Sequence, residues 1–211
     1  MGSSTGKPTK SNADLKPETS DNYEIGARWS KSGINIDTAV FYSDASDYID
    51  TVPDATGTQE QYQNINSAKT WGVEMAASWK IGATGFEPYA SLTWMRRQYD
   101  HNGITTFKSG TPEFFGRYGV RWAGEYNGLG LHTDVYGYTQ TATDSLTTDK
   151  VTVLHCGGAT TFNLTAGVSF GPEKQYSLDA GFYNISDKKY QDNTSVYEPG
   201  RYLALKLNAR F

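Results

Sequence analysis

Several things are scarce in this chain, and each scarcity excludes something. One cysteine, Cys156, in 211 residues excludes an intrachain disulfide framework and any multi-cysteine zinc cage. Positive charge is not in excess: 19 basic against 23 acidic residues give a net charge of −4. A mildly acidic chain has no general electrostatic pull on nucleic acid, so no nucleic-acid partner is expected. No apolar run approaches the roughly 18 residues of a membrane-spanning helix. The first residues, Met1 to Lys7, hold no apolar stretch that could serve as a secretion signal. The chain is therefore expected either to be cytoplasmic or to be a piece of something longer. Catalytic signatures are missing as well. The three histidines, His101, His132 and His155, sit in no recognisable nucleophile turn. Gly157-Gly158 has no strand–loop–helix context that would cradle phosphate. No enzyme is expected, and no cofactor.

What the chain has in abundance is aromatic residues (15 Tyr, 9 Phe and 5 Trp) and alternation of period two. Tyr23, Ile25, Ala27 and Trp29 alternate with Asn22, Glu24, Gly26 and Arg28. Trp71, Val73, Met75, Ala77 and Trp79 alternate with Gly72, Glu74, Ala76 and Ser78. Leu203, Leu205, Leu207, Ala209 and Phe211 alternate with Lys206, Asn208 and Arg210. Similar stretches run through 34–43, 86–94, 117–122, 129–135, 162–170 and 176–182. The pattern predicts about nine strands and an all-β fold. Connections alternate too. Short turns at Lys31-Ser32-Gly33, Gly82–Gly85, Glu125–Gly128 and Gly171–Lys174 are interleaved with long polar stretches at 44–69, 98–113, 141–158 and 186–200.

An antiparallel meander joined in this way carries its short turns at one end and its long loops at the other, which is the habit of outer-membrane barrels. Aromatics agree. Trp71 and Trp79, Phe86 and Trp94, and Phe162 and Phe170 are each eight positions apart on the apolar parity. At about 3.4 Å per residue and a tilt near 40°, eight positions cover roughly 20 Å of a lipid-facing band about 25 Å tall. The opposite parity holds Glu24, Arg28, Asp37, Glu74, Arg117, Arg121, His132, Asp134, Asp179, Lys206 and Arg210. A dry core cannot hold that many charges unless each is paired, whereas a wet or plugged lumen can. The competing architecture is a soluble β-sandwich with aromatic strands. Nine strands are odd, and an open sheet with bare edges is not viable in a bilayer. The expected fold is therefore an antiparallel transmembrane β-barrel meander, the C-terminal portion of a larger barrel.

Four segments carry a family resemblance. Asn12-Ala13-Asp14-Leu15-Lys16-Pro17-Glu18 resembles the Asn-Pro-Asn-Leu-Lys-Pro-Glu box of TonB-dependent outer-membrane receptors, with Ala13 in place of the usual Pro. Tyr62-Gln63-Asn64-Ile65-Asn66, followed by Ala68, Gly72 and Glu74, is similar to that family's next motif. Asn184-Ile185-Ser186-Asp187-Lys188-Lys189-Tyr190 and Glu198-Pro199-Gly200-Arg201, leading to Phe211, resemble its closing segments. The resemblance implies a 22-stranded barrel filled by an N-terminal plug. It also implies energised uptake of an iron–siderophore, haem or similar chelate across the outer membrane of a Gram-negative bacterium. Residues 1–20 would then be an extracellular loop segment and 21–211 the C-terminal barrel strands, with the plug and earlier strands absent. The implied partners are the chelate, the TonB complex through the absent N-terminal part, the barrel assembly machinery and outer-membrane lipid. A small self-contained barrel with a structural or adhesive role is the alternative.

Candidate ligand residues are Arg96, Arg97, Tyr99 and His101, a basic and aromatic cluster suited to an anionic ferric chelate. The competing role for Arg96 and Arg97 is contact with lipopolysaccharide phosphates or loop carboxylates. His155 with Cys156 could ligate haem iron or a metal, though a pair without a third ligand makes no site. Tyr48, Tyr62 and Tyr190 either line the mouth or belong to the outer aromatic belt. Phe211 resembles the terminal aromatic read by the barrel assembly machinery.

Overall fold

The computed structural model describes residues 8–53, 58–101, 103–146, 152–191 and 197–210. Among them there is no helix. The elements are β1 (Thr9–Lys10), β2 (Thr19–Lys31), β3 (Ile34–Pro53), β4 (Glu60–Trp79), β5 (Phe86–His101), β6 (Ile104–Thr106) and β7 (Phe114–Tyr126). They continue with β8 (Leu129–Gln140), β9 (Thr143–Leu146), β10 (Val153–Cys156), β11 (Ala159–Phe170), β12 (Tyr176–Tyr183) and β13 (Tyr202–Ala209). The long strands form one antiparallel meander in the order β13-β12-β11-β8-β7-β5-β4-β3-β2. Eight of the nine alternating stretches in the sequence fall wholly in one of these strands, and the ninth falls in β13 as far as Ala209. The sheet is a partial barrel, open at β2 and β13.

Register explains why alternation writes itself across the whole sheet. Directly paired residues point to the same side. One apolar row runs Ile25, Val40, Val73, Trp94, Phe114 from β2 to β7. Another runs Val120, Val135, Leu164, Phe182, Leu203 from β7 to β13. The opposite side carries Arg28, Asp37, Ala76, Ser91, Arg117, Tyr138 and Thr161 in a single row. A one-residue slip anywhere would carry a whole strand's leucines into the polar face, so the two faces fix the register.

The apolar face covers nothing. Leu203, Leu205 and Leu207 are 76%, 78% and 73% exposed, and no large side chain among the described residues is fully buried. The surface totals 13720 Å², against about 9,700 Å² for a compact monomer of this length. A single sheet layer that leaves this much hydrocarbon outside is built for lipid, not water. Aromatics rim the face at two levels. Phe86 and Trp122 (6.4 Å between centroids) and Phe170 and Tyr176 (5.6 Å) stand near the short turns. Tyr23 and Tyr42 (6.4 Å) stand toward the long loops.

Two of the short turns are two-residue hairpin loops with both residues left-handed. Ser32 and Gly33 have φ of 52° and 82°, and Asn127 and Gly128 have 49° and 78°. That is the type I′ geometry whose twist matches the flanking strands. The long-loop end departs from expectation. The stretch 44–69 continues the ladder instead of forming an irregular loop: β3 and β4 are each 20 residues, about twice what crosses the hydrocarbon. Above the lipid both faces of a hairpin can be polar, so the ladder goes on after the alternation stops. The stretches 98–113 and 141–158 likewise contain the end of β5, β6 and the β9–β10 hairpin.

Candidate functional site

The polar face is tied together by side chains that are distant in sequence. Asp134 on β8 accepts hydrogen bonds from the Tyr89 hydroxyl at 3.0 Å and from Arg117 Nη2 at 2.8 Å. Arg117 Nε in turn donates to the Tyr89 hydroxyl at 3.1 Å, and its guanidinium lies 3.8 Å over the Tyr136 ring. Arg121 lies 4.0 Å over Tyr89 and sits 3.6 Å from Glu87 and 3.8 Å from Asp134. Three strands, β5, β7 and β8, are thereby linked by charge-assisted bonds and cation–π stacking. Toward the short turns, His132 Nε2 meets Asp179 Oδ1 at 2.8 Å. These two residues belong to β8 and β12, with β11 between them. The pair spans that strand over Gly167, where any Cβ would collide with both partners.

Alternation divides the predicted ligand cluster. Arg96 pairs in register with Trp71 on the apolar parity. Its guanidinium lies 4.4 Å over Phe107, and its Nε is 3.2 Å from Glu113. Arg97 and Tyr99 point to the polar face, with the Arg97 guanidinium 5.8 Å from the Tyr99 ring. The His101 backbone closes β5 opposite Asn66 and Ile104, while its side chain lies outside the described residues, as does Phe211. The structure thus brings Arg97 and Tyr99 together and sends Arg96 to the outer rim. His155 and Cys156 are neighbours on one strand and so face opposite ways. His155 Nδ1 pairs with Asp144 at 2.7 Å, and Cys156 is buried. Among the described residues no group of three His, Cys, Asp or Glu could hold a metal.

The motifs singled out in the sequence are clamps on backbone. Asn64 Nδ2 donates to the carbonyls of Lys16 (2.9 Å) and Asp47 (2.6 Å), while its Oδ1 accepts from Lys16 N at 2.8 Å. Asn12 Nδ2 donates to Tyr62 O at 2.8 Å, and Glu18 Oε1 accepts from Ile49 N at 2.8 Å. Glu18 and Asn64 together satisfy the irregularity between Ala45 and Ile49, where Asp47 has φ of 57°. Residues 9–18 therefore strap the projecting β3–β4 hairpin. At the other closing segment, buried Asn184 takes a φ of 48°, a left-handed conformation asparagine tolerates. Its side chain donates to Lys188 O and Pro199 O and accepts from Lys188 N, and its own N donates to Asn163 Oδ1. Asp187 Oδ1 accepts from Arg201 N at 2.8 Å.

This clamp roofs a hollow of about 390 Å³ on the polar face. Arg117, Tyr136, Tyr138, Tyr183, Tyr190 and Glu198 are among its walls. Tyr190 was one of three candidate mouth tyrosines; Tyr48 and Tyr62 sit on the projecting β3–β4 hairpin instead. The strand tyrosines are not among the sequence-predicted residues, although their shared parity with Arg117 is readable there.

Comparison with known proteins bears on the whole chain. A family model described as "TonB dependent receptor-like, beta-barrel" matches residues 2–185. The vitamin B12 transporter BtuB of Vibrio vulnificus (strain YJ016) is 33% identical over 87 residues, 41% of this chain and 14% of that protein. Among solved structures, the FrpB iron transporter from Neisseria meningitidis (F3-3 variant) superposes with a TM-score of 0.76 at 13% identity, covering 98% of this chain and 33% of that one. The copper transporter OprC gives 0.76 at 18% identity, over 97% and 34%. The pyoverdine receptor FpvA from Pseudomonas aeruginosa PAO1, bound to pyoverdine, gives 0.68 at 19% identity, over 100% and 32%. The chain thus spans about a third, or less, of the length of these proteins.

Proposed function

The chain belongs to the TonB-dependent receptor-like β-barrel family, and from that premise we propose that it forms the C-terminal wall of an outer-membrane transporter for an iron–siderophore, haem or similar metal chelate. The observation that carries this reading is the division of one continuous sheet into a bare hydrocarbon face and a face of paired charges and tyrosines. Such a wall separates lipid from a polar interior through which a bulky solute can be handled. The similar structures named above are an iron transporter, a copper transporter and a siderophore-bound receptor.

In this reading the long-loop end faces outward. Residues 1–20 lie there as a loop segment, and residues 21–211 supply the strands. Arg97 and Tyr99, with His101 beyond them, offer the chelate a cation and an aromatic face. Arg96, on the outer parity, stands at the membrane rim. TonB engages a part of the receptor outside this chain, Phe211 serves barrel assembly, and lipid covers the leucine face.

The test is uptake. The intact receptor carrying this segment, expressed in a strain without its own ferric-chelate receptors, is expected to take up radioactive iron from at least one ferric siderophore or from haem. Removal of TonB is expected to reduce that uptake to background. Uptake that persists without TonB, or none from any chelate with the receptor assembled, overturns the reading.

A further inference from the structure

The β3–β4 hairpin outruns both of its neighbours. Pairing with β2 stops at Thr19 and Ser46, and pairing with β5 stops at His101 and Asn66. Above those points two strands remain, and a two-stranded ribbon alone is marginal in water. Yet Ala45, Ala68 and Glu60, all on this hairpin, are 6%, 3% and 4% exposed, in a sheet that buries few of its side chains. What completes the ribbon is the run of chain ahead of β2. Beside β4 it adds a parallel strand: Thr9 lies opposite Glu60 and Lys10 opposite Gln61, and Pro8 O accepts from Glu60 N at 3.0 Å. Gln61 Nε2 donates to Ser11 O at 2.9 Å, and Asn12 Nδ2 donates to Tyr62 O. By Thr19 the same run stands beside β3. Residues 8–18 therefore cross the hairpin from its β4 margin to its β3 margin.

Asn64 is the joint of this crossing. Its amide holds Lys16 through both the backbone N and the backbone O, and it also takes the carbonyl of Asp47. One side chain thus ties together the crossing segment, β3 and β4. Glu18 closes the far end on Ile49 N. Lifting residues 8–18 would strip the Asn64 amide, the Asp47 carbonyl and the β4 margin of their partners together, so the bonds open as one cooperative unit rather than one by one. Arg97, Tyr99 and His101 ride on the stretch of β5 that pairs with Thr70, Ala68 and Asn66 of β4. A β4 that is held still holds that end of β5 still as well, and binding groups work best on a rigid support. We propose that residues 8–18 and the projecting β3–β4 hairpin are one rigid rim, fastened at Asn64, which stays shut while solute passes. It is a fixed part of the mouth and not a gate. The part of this inference that concerns solute rests on the transport reading; the rigid rim itself does not.

The test has two arms, both on the intact receptor. In the first, hydrogen exchange is compared between wild type and Asn64→Ala in detergent. Exchange is expected to quicken at least tenfold in residues 8–18 and in the upper hairpin, 46–53 and 58–66, together, with 162–170 of β11 unchanged. Faster exchange in only one of the two segments, or in neither, overturns the rigid rim. In the second arm, Lys10→Cys and Gln61→Cys are combined. These residues are direct partners in the β1–β4 pairing, within reach of a disulfide, so the arm also stands if Asn64→Ala fails to assemble. The disulfide is expected to form under mild oxidation in assembled receptor. Uptake of radioactive iron as ferrichrome, ferric enterobactin or haem is expected to be the same before and after reduction with dithiothreitol. Failure of the disulfide to form, or uptake that falls at least tenfold on oxidation and returns on reduction, overturns the proposal. If wild type takes up none of the three, the chelate reading fails, and the exchange arm still decides the rim.

Discussion

The two halves of the polar wall carry the same kind of ion pair and use it differently. In the β2–β4 half, Arg28 and Asp37 face each other across one strand boundary at 2.5 Å, with side chains 82% and 46% exposed. Their row continues through Ala76 and Ser91, whose short side chains carry no charge. In the β7–β12 half, Arg117 and Asp134 meet at 2.8 Å with Asp134 only 15% exposed, and Tyr89, Tyr136 and Arg121 surround them. A solvated pair contributes about 0–1 kcal/mol and weakens in salt. A pair inside a network of rings and hydroxyls is partly screened from water, with Arg117 still 45% exposed, and breaking it strands its partners. One half is a smooth trough and the other is a braced panel.

The largest test asks whether both halves share one lipid face. Leu205→Arg places a charge among the exposed leucines and is expected to cost about 2–4 kcal/mol near the bilayer midplane, with less receptor assembled in outer membranes. Asn208→Arg, on the polar face of the same strand, is expected to be much milder, and equal losses would refute the facing. Next comes the brace. Asp134→Ala removes the acceptor shared by Tyr89 and Arg117 and is expected to lower unfolding stability in lipid vesicles by about 2–3 kcal/mol. If Asp37→Ala in the trough costs as much, the contrast between the halves is broken. Asn184→Ala removes three part-buried side-chain hydrogen bonds and is expected to cost about 1–2 kcal/mol, with faster hydrogen exchange confined to residues 184–191 and 197–201. The smallest effect is expected at Arg28→Ala: below about 1 kcal/mol, and vanishing as ionic strength rises.

Legibility in the sequence followed the lipid. Wherever one face meets hydrocarbon, alternation marks the strand, and all nine long strands could be read with their short turns. Beyond the lipid the signal stops while the hydrogen-bond ladder does not, which hid the upper half of the β3–β4 hairpin. The brace was hidden for another reason: Tyr89 and Asp134 are 45 positions apart, and His132 and Asp179 are 47 apart. Only register brings them together. The cluster Arg96, Arg97, Tyr99 and His101 is compact along the chain, but parity divides it between the two faces. In a strand, adjacent residues are the ones that do not meet.

Finally, every neighbour in the meander is also the next long strand along the chain. Each pairing closes a tight turn or a single loop, so the search for partners is local. Two tight turns already bend the way the strands must twist, and can nucleate zippering without waiting for distant segments. The open margins at β2 and β13 find no strand partner among the described residues, and pairing them falls outside this local zippering.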